Sequence, residues 1–376
     1  MAGIPKAIVS VTNDLLTDNR VDKVCRVLVE QGYAVTLVGR RLKSSKDLPS
    51  RPYRTKRFKL PVERGALFYA AYNFRLFWFL LFRRADLLVS NDLDTLLANF
   101  LASRLKRKTR LVYDSHEYFT EVPELINRPK VQRIWERIEA WIFPKLDTIY
   151  TVNDSIAELY QKKYNKQISV VRNVSPLWKS QAIPSKKELG IPADKIVIIL
   201  QGAGINIHRG AEEAVDAMAD FPQAVLLVVG DGDVVPQLKS RVQKMELEDR
   251  ILFFGKRPYN EMMCFTHHAD IGLTLDKPNN INYRFSLPNK VFDYMHSGTA
   301  IVSTDLVEIT KLVDRYQLGW IVPELTIASL VEALQQAIDQ PEILAQYKQN
   351  ALDAARIENW ENEREILKRI YPKVNG

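Results

Sequence analysis

The chain has 376 residues, with 53 Lys+Arg against 45 Asp+Glu, a formal net charge of +8, 46% apolar and 26% charged residues. That balance excludes wholesale disorder and fibrous repeats, and the length allows two or three domains that each bury a core. Cys25 and Cys264 lie in separate halves, which excludes a disulfide framework and suits a reducing, cytoplasmic compartment; the five histidines show no zinc-ligand spacing.

The opening apolar run at 7–11 is too short for a signal-peptide core and meets Thr12-Asn13-Asp14 at once, so it reads as a first buried strand. Further strand-like runs lie at 34–38, 57–60, 87–90, 111–113, 148–152 and 169–171, with helical patterns at 18–31, 93–105 and 131–143. Such alternation predicts a parallel sheet covered on both faces. Pro176, Pro184 and Pro192, among Ser and Lys, mark 176–192 as a linker. The alternation restarts with strands at 196–200, 225–229, 251–254, 271–275, 300–303 and 319–322 and helices at 211–219, 290–296 and 329–338; a polar helical tail follows, with Trp360 as its anchor. The expectation is α/β: two doubly wound Rossmann-like domains facing a central cleft, 1–175 and 193–355, with a final helical segment 356–376 packing back on the first. Ligands of such sheets sit at the strands' carboxyl ends.

Charge is divided unevenly. Residues 1–180 hold 32 Lys+Arg against 18 Asp+Glu, a net +14, which leaves −6 for the rest. A basic half points to an anionic partner, and no nucleic-acid recognition module is visible. Residues 66–82 are rich in Phe, Tyr and Trp but carry Asn73 and Arg75, a poor membrane span. They read either as a helix buried against a sheet or as an interfacial helix. The second reading gains from cations before it, between Arg40 and Arg64, after it at Arg83 and Arg84, and again at 104–108. It implies a peripheral position at the anionic inner face of a cell membrane.

Three segments could carry chemistry. Gln201-Gly202-Ala203-Gly204-Ile205-Asn206-Ile207-His208-Arg209-Gly210 lies between a strand and a helix. Glycines there admit a phosphate to backbone N–H groups, and Arg209 adds a charged fork; a tight turn with an exposed arginine explains the pattern as well. Gly230-Asp231-Gly232-Asp233 reads as a turn leaving a buried strand. In Ser286-Leu287-Pro288-Asn289-Lys290-Val291-Phe292-Asp293 a loop enters a helix just after a proline, with Lys290 and Asp293 on one face of its first turn. A carboxylate there can hold ribose hydroxyls, and a lysine with free N–H groups can hold phosphate; the bland alternative is a capped helix with a solvated pair.

The last segment resembles the nucleotide-sugar site of glycosyltransferase family 4, which has the GT-B fold, and the turn Phe254-Gly255-Lys256-Arg257-Pro258-Tyr259 is similar to that family's loop near the base. The resemblance implies donor contacts from Gly202, Gly204, Arg209, Lys256, Tyr259, Leu287, Pro288, Asn289, Lys290 and Asp293, and from Asn173 after the last strand of the first half. It implies catalytic roles for His116, Arg209 and Lys290, and an acceptor side with Asn13, Asp14, Asn19, Arg20 and Glu117. Two positions depart from the family pattern: Phe285 stands where an acid is usual, and Ala203 where an arginine is. Asp92-Leu93-Asp94 has the form of a metal-binding D-x-D but reads as a helix cap, so neither metal nor other cofactor is expected. What the resemblance implies is a retaining transferase moving a sugar from a UDP or GDP donor to a hydroxyl of a glycan or lipid-linked acceptor. A nucleotide-sugar 2-epimerase of the same fold and a non-catalytic nucleotide-sugar-binding subunit are the rivals.

Overall fold

The computed structural model describes residues 4–16, 18–106, 108–179, 182–202 and 204–374, and all of these but the Ile126 side chain. The chain divides into two compact units, one of Met1–Asn173 with Glu363–Gly376 and one of Val174–Asn362.

The first unit is built on β1 (Lys6–Ser10), β2 (Ala34–Arg41), β3 (Arg54–Lys59), β4 (Leu87–Asn91), β5 (Arg110–Ser115), β6 (Thr148–Thr151) and β7 (Ser169–Val170). They form one sheet in the order β3-β2-β1-β4-β5-β6-β7, with every pair parallel. β4 is buried along its whole length, as expected of a strand covered on both faces. The helix Gly65–Phe82 buries a single stripe, Phe68, Tyr72, Leu76 and Leu80, against Ile8, Val38 and Leu88 of the sheet. Spacing of four keeps these side chains on one face. The helix is thus a core element on one side only.

The chain's end belongs to this unit. Gln31 Nε2 donates to Lys368 O at 3.2 Å, the Tyr150 and Tyr371 hydroxyls lie 3.1 Å apart, and Arg172 Nε donates to Glu363 Oε1 at 2.8 Å.

The second unit carries β8 (Ile196–Gly202), β9 (Ala224–Gly230), β10 (Ile251–Phe253), β11 (Ile271–Thr274), β12 (Ala300–Thr304) and β13 (Gly319–Val322), all parallel in the order β10-β9-β8-β11-β12-β13. Alternate residues of β8 feed two cores: Ile198 and Leu200 enter one, Val197 and Ile199 the other. Residues 176–192, read as a linker, count with this unit: Ile191 is buried in the second core, and Leu177 and Leu189 pack against it. An apolar residue every dozen or so positions is enough to tie an irregular stretch to a core, and proline-rich composition hides it.

In both sheets the chain reverses the direction in which it adds strands at the fourth strand. The switch points therefore lie between β1 and β4 and between β8 and β11, where crevices open at the carboxyl ends.

Candidate functional site

At the second unit's switch point, β8 ends in the loop that leads to the helix Ala211–Ala217. The loop is laced to the turn after β9: Ile205 N donates to Asp231 O at 3.1 Å, Asp233 N to Asn206 Oδ1 and Ile207 N to Asp233 Oδ1, both at 3.2 Å. Glycine is required at two points. A Cβ on Gly230 would stand 1.8 Å from Gly202 O, and Gly210, at φ +71°, would drive one to 2.3 Å from Leu275 Cβ. The turn Gly230–Asp233 is thus the loop's support. Ala203 lies outside the described residues.

Arg209 is half-buried, its Nη1 3.6 Å from Asp276 Oδ1 and its guanidinium 5.6 Å from the Tyr283 ring centroid. Asp276 follows β11 by two residues, is buried, and its Oδ1 has no hydrogen-bond partner. Lys290 opens the helix Asn289–Ser297 beneath Pro288. Burial pulls its ammonium below the usual lysine range, with Asp276 opposing and Arg209 adding to that pull. Two cations thus stand near the Asp276 carboxylate beside the free N–H groups of a helix start, an arrangement suited to an anion.

Arg209 and Lys290 border a cavity of about 280 Å³, lined also by Gly202, Gly204, Ile205, Met262, Asn289 and Asp293. Asp293 closes one side. It is buried and accepts from Tyr259 OH at 2.9 Å, Ser175 Oγ at 3.1 Å and Gln201 Nε2 at 3.3 Å. Gln201 is oriented in turn by Thr266 Oγ1, at 2.5 Å from its Oε1. The carboxylate is fixed before any ligand arrives, and burial beside it pushes the Tyr259 hydroxyl up, so that the phenol stays a donor.

The structure gathers Gly202, Gly204, Arg209, Pro288, Asn289, Lys290 and Asp293 around one cavity, with Tyr259 behind Asp293. Lys256 is exposed on the turn before Tyr259 and Leu287 packs against the core; neither borders the cavity. Asn173 counts with the first unit, where Lys23 Nζ reaches its Oδ1 at 3.5 Å. Asp276, Ser175 and Met262 escaped the sequence reading, and Gln201 figures there only as part of its loop. The switch-point rule would have found Asp276, which sits just past a strand beside the reversal.

The first unit's switch point is acidic. Asp92 follows β4 at φ +58° and, with no side-chain cap bond to the helix Leu93–Leu105, turns to His116: its Oδ1 accepts the His116 backbone N–H at 2.8 Å, and its Oδ2 is 3.3 Å from Nδ1. The other ring nitrogen, Nε2, is 3.3 Å from Asp114 Oδ2 and 3.2 Å from Asn91 Oδ1. Burial alone would lower the imidazole, but Asp92 and Asp114 outweigh it and raise it to about 9. Asp114 is driven the opposite way: against its burial, Arg20 and His116 hold it at about 2. His116 is therefore a clamped imidazolium at neutral pH, with no free nitrogen for a general base.

Arg20, expected on an acceptor surface, is buried; it bridges Asp114 through Nη2 at 2.7 Å and Nε at 3.2 Å and donates to Val171 O at 2.8 Å. It is the counter-ion of this cluster. Asn13 and Asp14 hold their own loop: Asn13 Oδ1 accepts from Leu15 N at 3.0 Å, and Asp14 accepts from Ser45 Oγ at 2.7 Å and Arg57 Nη1 at 2.8 Å. Asn19 is exposed at the first helix's start. Glu117 is half-buried; burial first and Asp92 second raise it to about 7. Asp94, buried against Thr12 Oγ1 at 2.5 Å with Oδ1 unpartnered, is raised by burial and Asp92 to about 8. This cluster holds protons at neutral pH and can both donate to and accept from hydroxyls.

Comparison with known proteins bears on the family and the fold. Residues 18–174 match the family described as glycosyltransferase family 4, and residues 183–353 match glycosyl transferases group 1. The amylovoran biosynthesis glycosyltransferase AmsK of Erwinia amylovora is 24% identical over 199 residues, 45% of this chain and 48% of that protein. The match thus spans about half the length of that relative. Among solved structures, the sucrose-phosphate synthase of Thermosynechococcus elongatus superposes with a TM-score of 0.77 at 17% identity, covering 98% of both chains. Anabaena HepE in complex with UDP-glucose gives 0.71 at 16%, covering 98% of this chain and 100% of that one. These likenesses establish the GT-B fold.

Proposed function

The chain belongs to the family 4 glycosyltransferases, and from that premise we propose that it moves a sugar from a UDP-linked donor to a hydroxyl of a glycan acceptor in surface polysaccharide synthesis. The observation that carries this reading is the pairing of Arg209 and Lys290 around Asp276 at the β8/β11 switch point, where the helix Asn289–Ser297 begins. HepE's complex supports UDP as the nucleotide, and AmsK's role in amylovoran synthesis supports the glycan acceptor.

In this reading the diphosphate lies against Arg209, Lys290 and the first N–H groups of that helix. Asp293, fixed by Tyr259, Ser175 and Gln201, accepts the ribose hydroxyls. The acceptor hydroxyl attacks C1 on the face the phosphate leaves. The C1–O bond to phosphate breaks as the new one forms, and the departing phosphate oxygen takes the hydroxyl proton. That gives retention without a protein base, consistent with a His116 whose two nitrogens are occupied. Arg209 and Lys290 stabilise the charge that builds on the leaving group, so no metal ion is invoked and a chelator leaves the rate unchanged. The acid-rich cluster of the first unit hydrogen-bonds the acceptor's hydroxyls.

A thermal-shift series with UDP, GDP and their sugars, followed by transfer assays on the responding donor, tests the proposal. UDP stabilisation that disappears in Arg209→Ala supports it; stabilisation that survives that change sinks the placement. Phe285 keeps a second reading in play, that of a nucleotide-sugar-binding subunit without turnover. The ring stands where the family has an acid, and the Arg284 guanidinium lies 5.9 Å from it. Turnover with a defined acceptor, lost in Asp293→Ala, excludes that reading.

A further inference from the structure

Three helices of the first unit, Gly65–Phe82, Leu93–Leu105 and Pro129–Ile142, pack side by side. Opposite its buried stripe, the first of them leaves Phe74, Trp78 and Phe82 exposed to 67%, 42% and 78%, and the Trp78 and Phe82 rings stack at 5.7 Å. The second adds Leu101 and Leu105, and the third adds Trp141, whose ring meets Phe100 at 5.4 Å. Isolated exposed apolar residues are ordinary, but rows on adjoining helices mark a surface that meets something.

The flanking charge says what. Lys106 Nζ donates to Leu80 O at 2.5 Å and ties the ends of the first two helices together. Around that junction stand Arg83, Arg84 and Arg104, all exposed, and Lys145, whose Nζ lies 4.9 Å from the Trp141 ring centroid. Beside them opens a pocket of about 510 Å³ lined by Arg104, Arg110 and Lys145, with Asp147 as its one acid among the described residues. Arg110 begins β5, so the pocket lies at the strands' amino ends, away from the acidic cluster at their carboxyl ends. Cations on aromatic rims, with aliphatic stems over apolar surface, match the boundary between acyl chains and anionic headgroups. A second copy meeting the same face about a two-fold axis would set these cations against each other. The helix Gly65–Phe82 is long and apolar enough to span a bilayer, yet its stripe is in the core and Arg75 Nη1 donates to Lys59 O at 2.6 Å.

We propose that the first unit docks on a bilayer containing anionic phospholipid through this face, with Trp78, Phe82 and Leu105 among the upper acyl chains and Arg83, Arg104 and Lys145 among the headgroups. The inference is independent of the transferase reading. In the basic stretch before the helix Gly65–Phe82, Arg40, Arg51 and Arg57 are turned inward onto Glu63 O, Leu15 O and Asp14, whereas Arg54 and Lys56 of the edge strand β3 are exposed and serve as the control.

Co-sedimentation of the full chain with phosphatidylcholine vesicles, with and without phosphatidylglycerol, tests this. Binding is expected only to the anionic vesicles, with release at high salt. Each of the double variants Trp78→Ser/Phe82→Ser and Arg104→Glu/Lys145→Glu is expected to weaken binding by about tenfold or more, whereas Arg54→Glu/Lys56→Glu changes it by less than about twofold. Thermal unfolding confirms that the variants fold. No binding by the folded wild type, equal binding by the first two variants, or a dimer that Trp78→Ser/Phe82→Ser dissociates would each overturn the proposal.

Discussion

The two units share a strand order and place different sets of charged groups where it reverses. Between β8 and β11, Arg209 lies 3.6 Å from Asp276, whose charge also acts on Lys290, and Asp293 borders the same cavity. Between β1 and β4, Asp92, Asp94, Asp114 and Glu117 surround one histidine and one buried arginine. Topology decides where a crevice opens; the residues just past the strand ends decide what it holds. The second crevice brings two cations and a helix start to one side of its cavity, with Asp293 on another, and suits a diphosphate. The first has acids to spare, two of them raised to about 7 and about 8, and suits a neutral, hydroxyl-rich ligand.

The sharpest way to break this comparison is to remove one of the two cations. Arg209→Ala is expected to lower kcat/KM about 10²–10³-fold, the scale of losing one preorganised donor to a developing charge, and to abolish stabilisation by UDP. The fold should hold, since Asp276 is the only ionic partner of Arg209 among the described residues. If donor stabilisation persisted at wild-type strength, the diphosphate would have to bind elsewhere and the contrast between the crevices would lose its functional meaning.

The first crevice is tested through His116. His116→Asn leaves Asp92 and Asp114 with less counter-charge and is expected to cost about 3 kcal/mol of unfolding free energy, the low end for a broken buried ion pair. The pH dependence carries the sign. The histidine's folded pKa, about 9, lies above its unfolded value. Its stabilisation is therefore complete below roughly pH 6.5 and lost as pH rises through about 9. Denaturant unfolding between these limits should slope downward in the wild type and less so in the variant. Equal slopes would remove the clamped imidazolium.

Much of this was legible in the chain. Most strands among the described residues announce themselves as short β-rich apolar runs, because strands buried on both faces need continuous apolar sequence, and the basic edge strand β3 is an exception. The Pro288–Asp293 stretch shows its chemistry because proline, lysine and acid fall at fixed helix positions, a local signal. Partnership across the fold is not local. Arg20 resembles an exposed loop residue until Asp114, 94 positions away, is seen to neutralise it. Asp92 looks like a helix cap until it turns away from its helix towards the histidine after the next strand. Asp276 carries no motif at all; only the strand order marks it.

A smaller effect separates buried charge from bound function in the same cluster. Asp94 is held protonated by burial and by Asp92, so its folded pKa of about 8 costs stability as pH climbs from the ordinary carboxylate range to that value. Asp94→Asn keeps an acceptor for Thr12 and removes the ionisation. It is expected to raise Tm by about 5 °C at pH 9 and to change it little at pH 5. A Tm that falls at both pH values would mean that Asp94 serves as a carboxylate in the native state.

The smallest expected effect falls on the residue that resemblance favoured and geometry does not. Lys256 is exposed on the turn between β10 and the helix Tyr259–His267, outside the cavity that Arg209 and Lys290 border. A solvated ammonium at such a position contributes little through screened attraction, so Lys256→Ala is expected to change the donor KM by about twofold or less. An increase of tenfold with kcat unchanged would mean that the Gly255 turn closes over the bound donor. The cation count of the second crevice would then be three, and its contrast with the first would be larger when occupied than when empty.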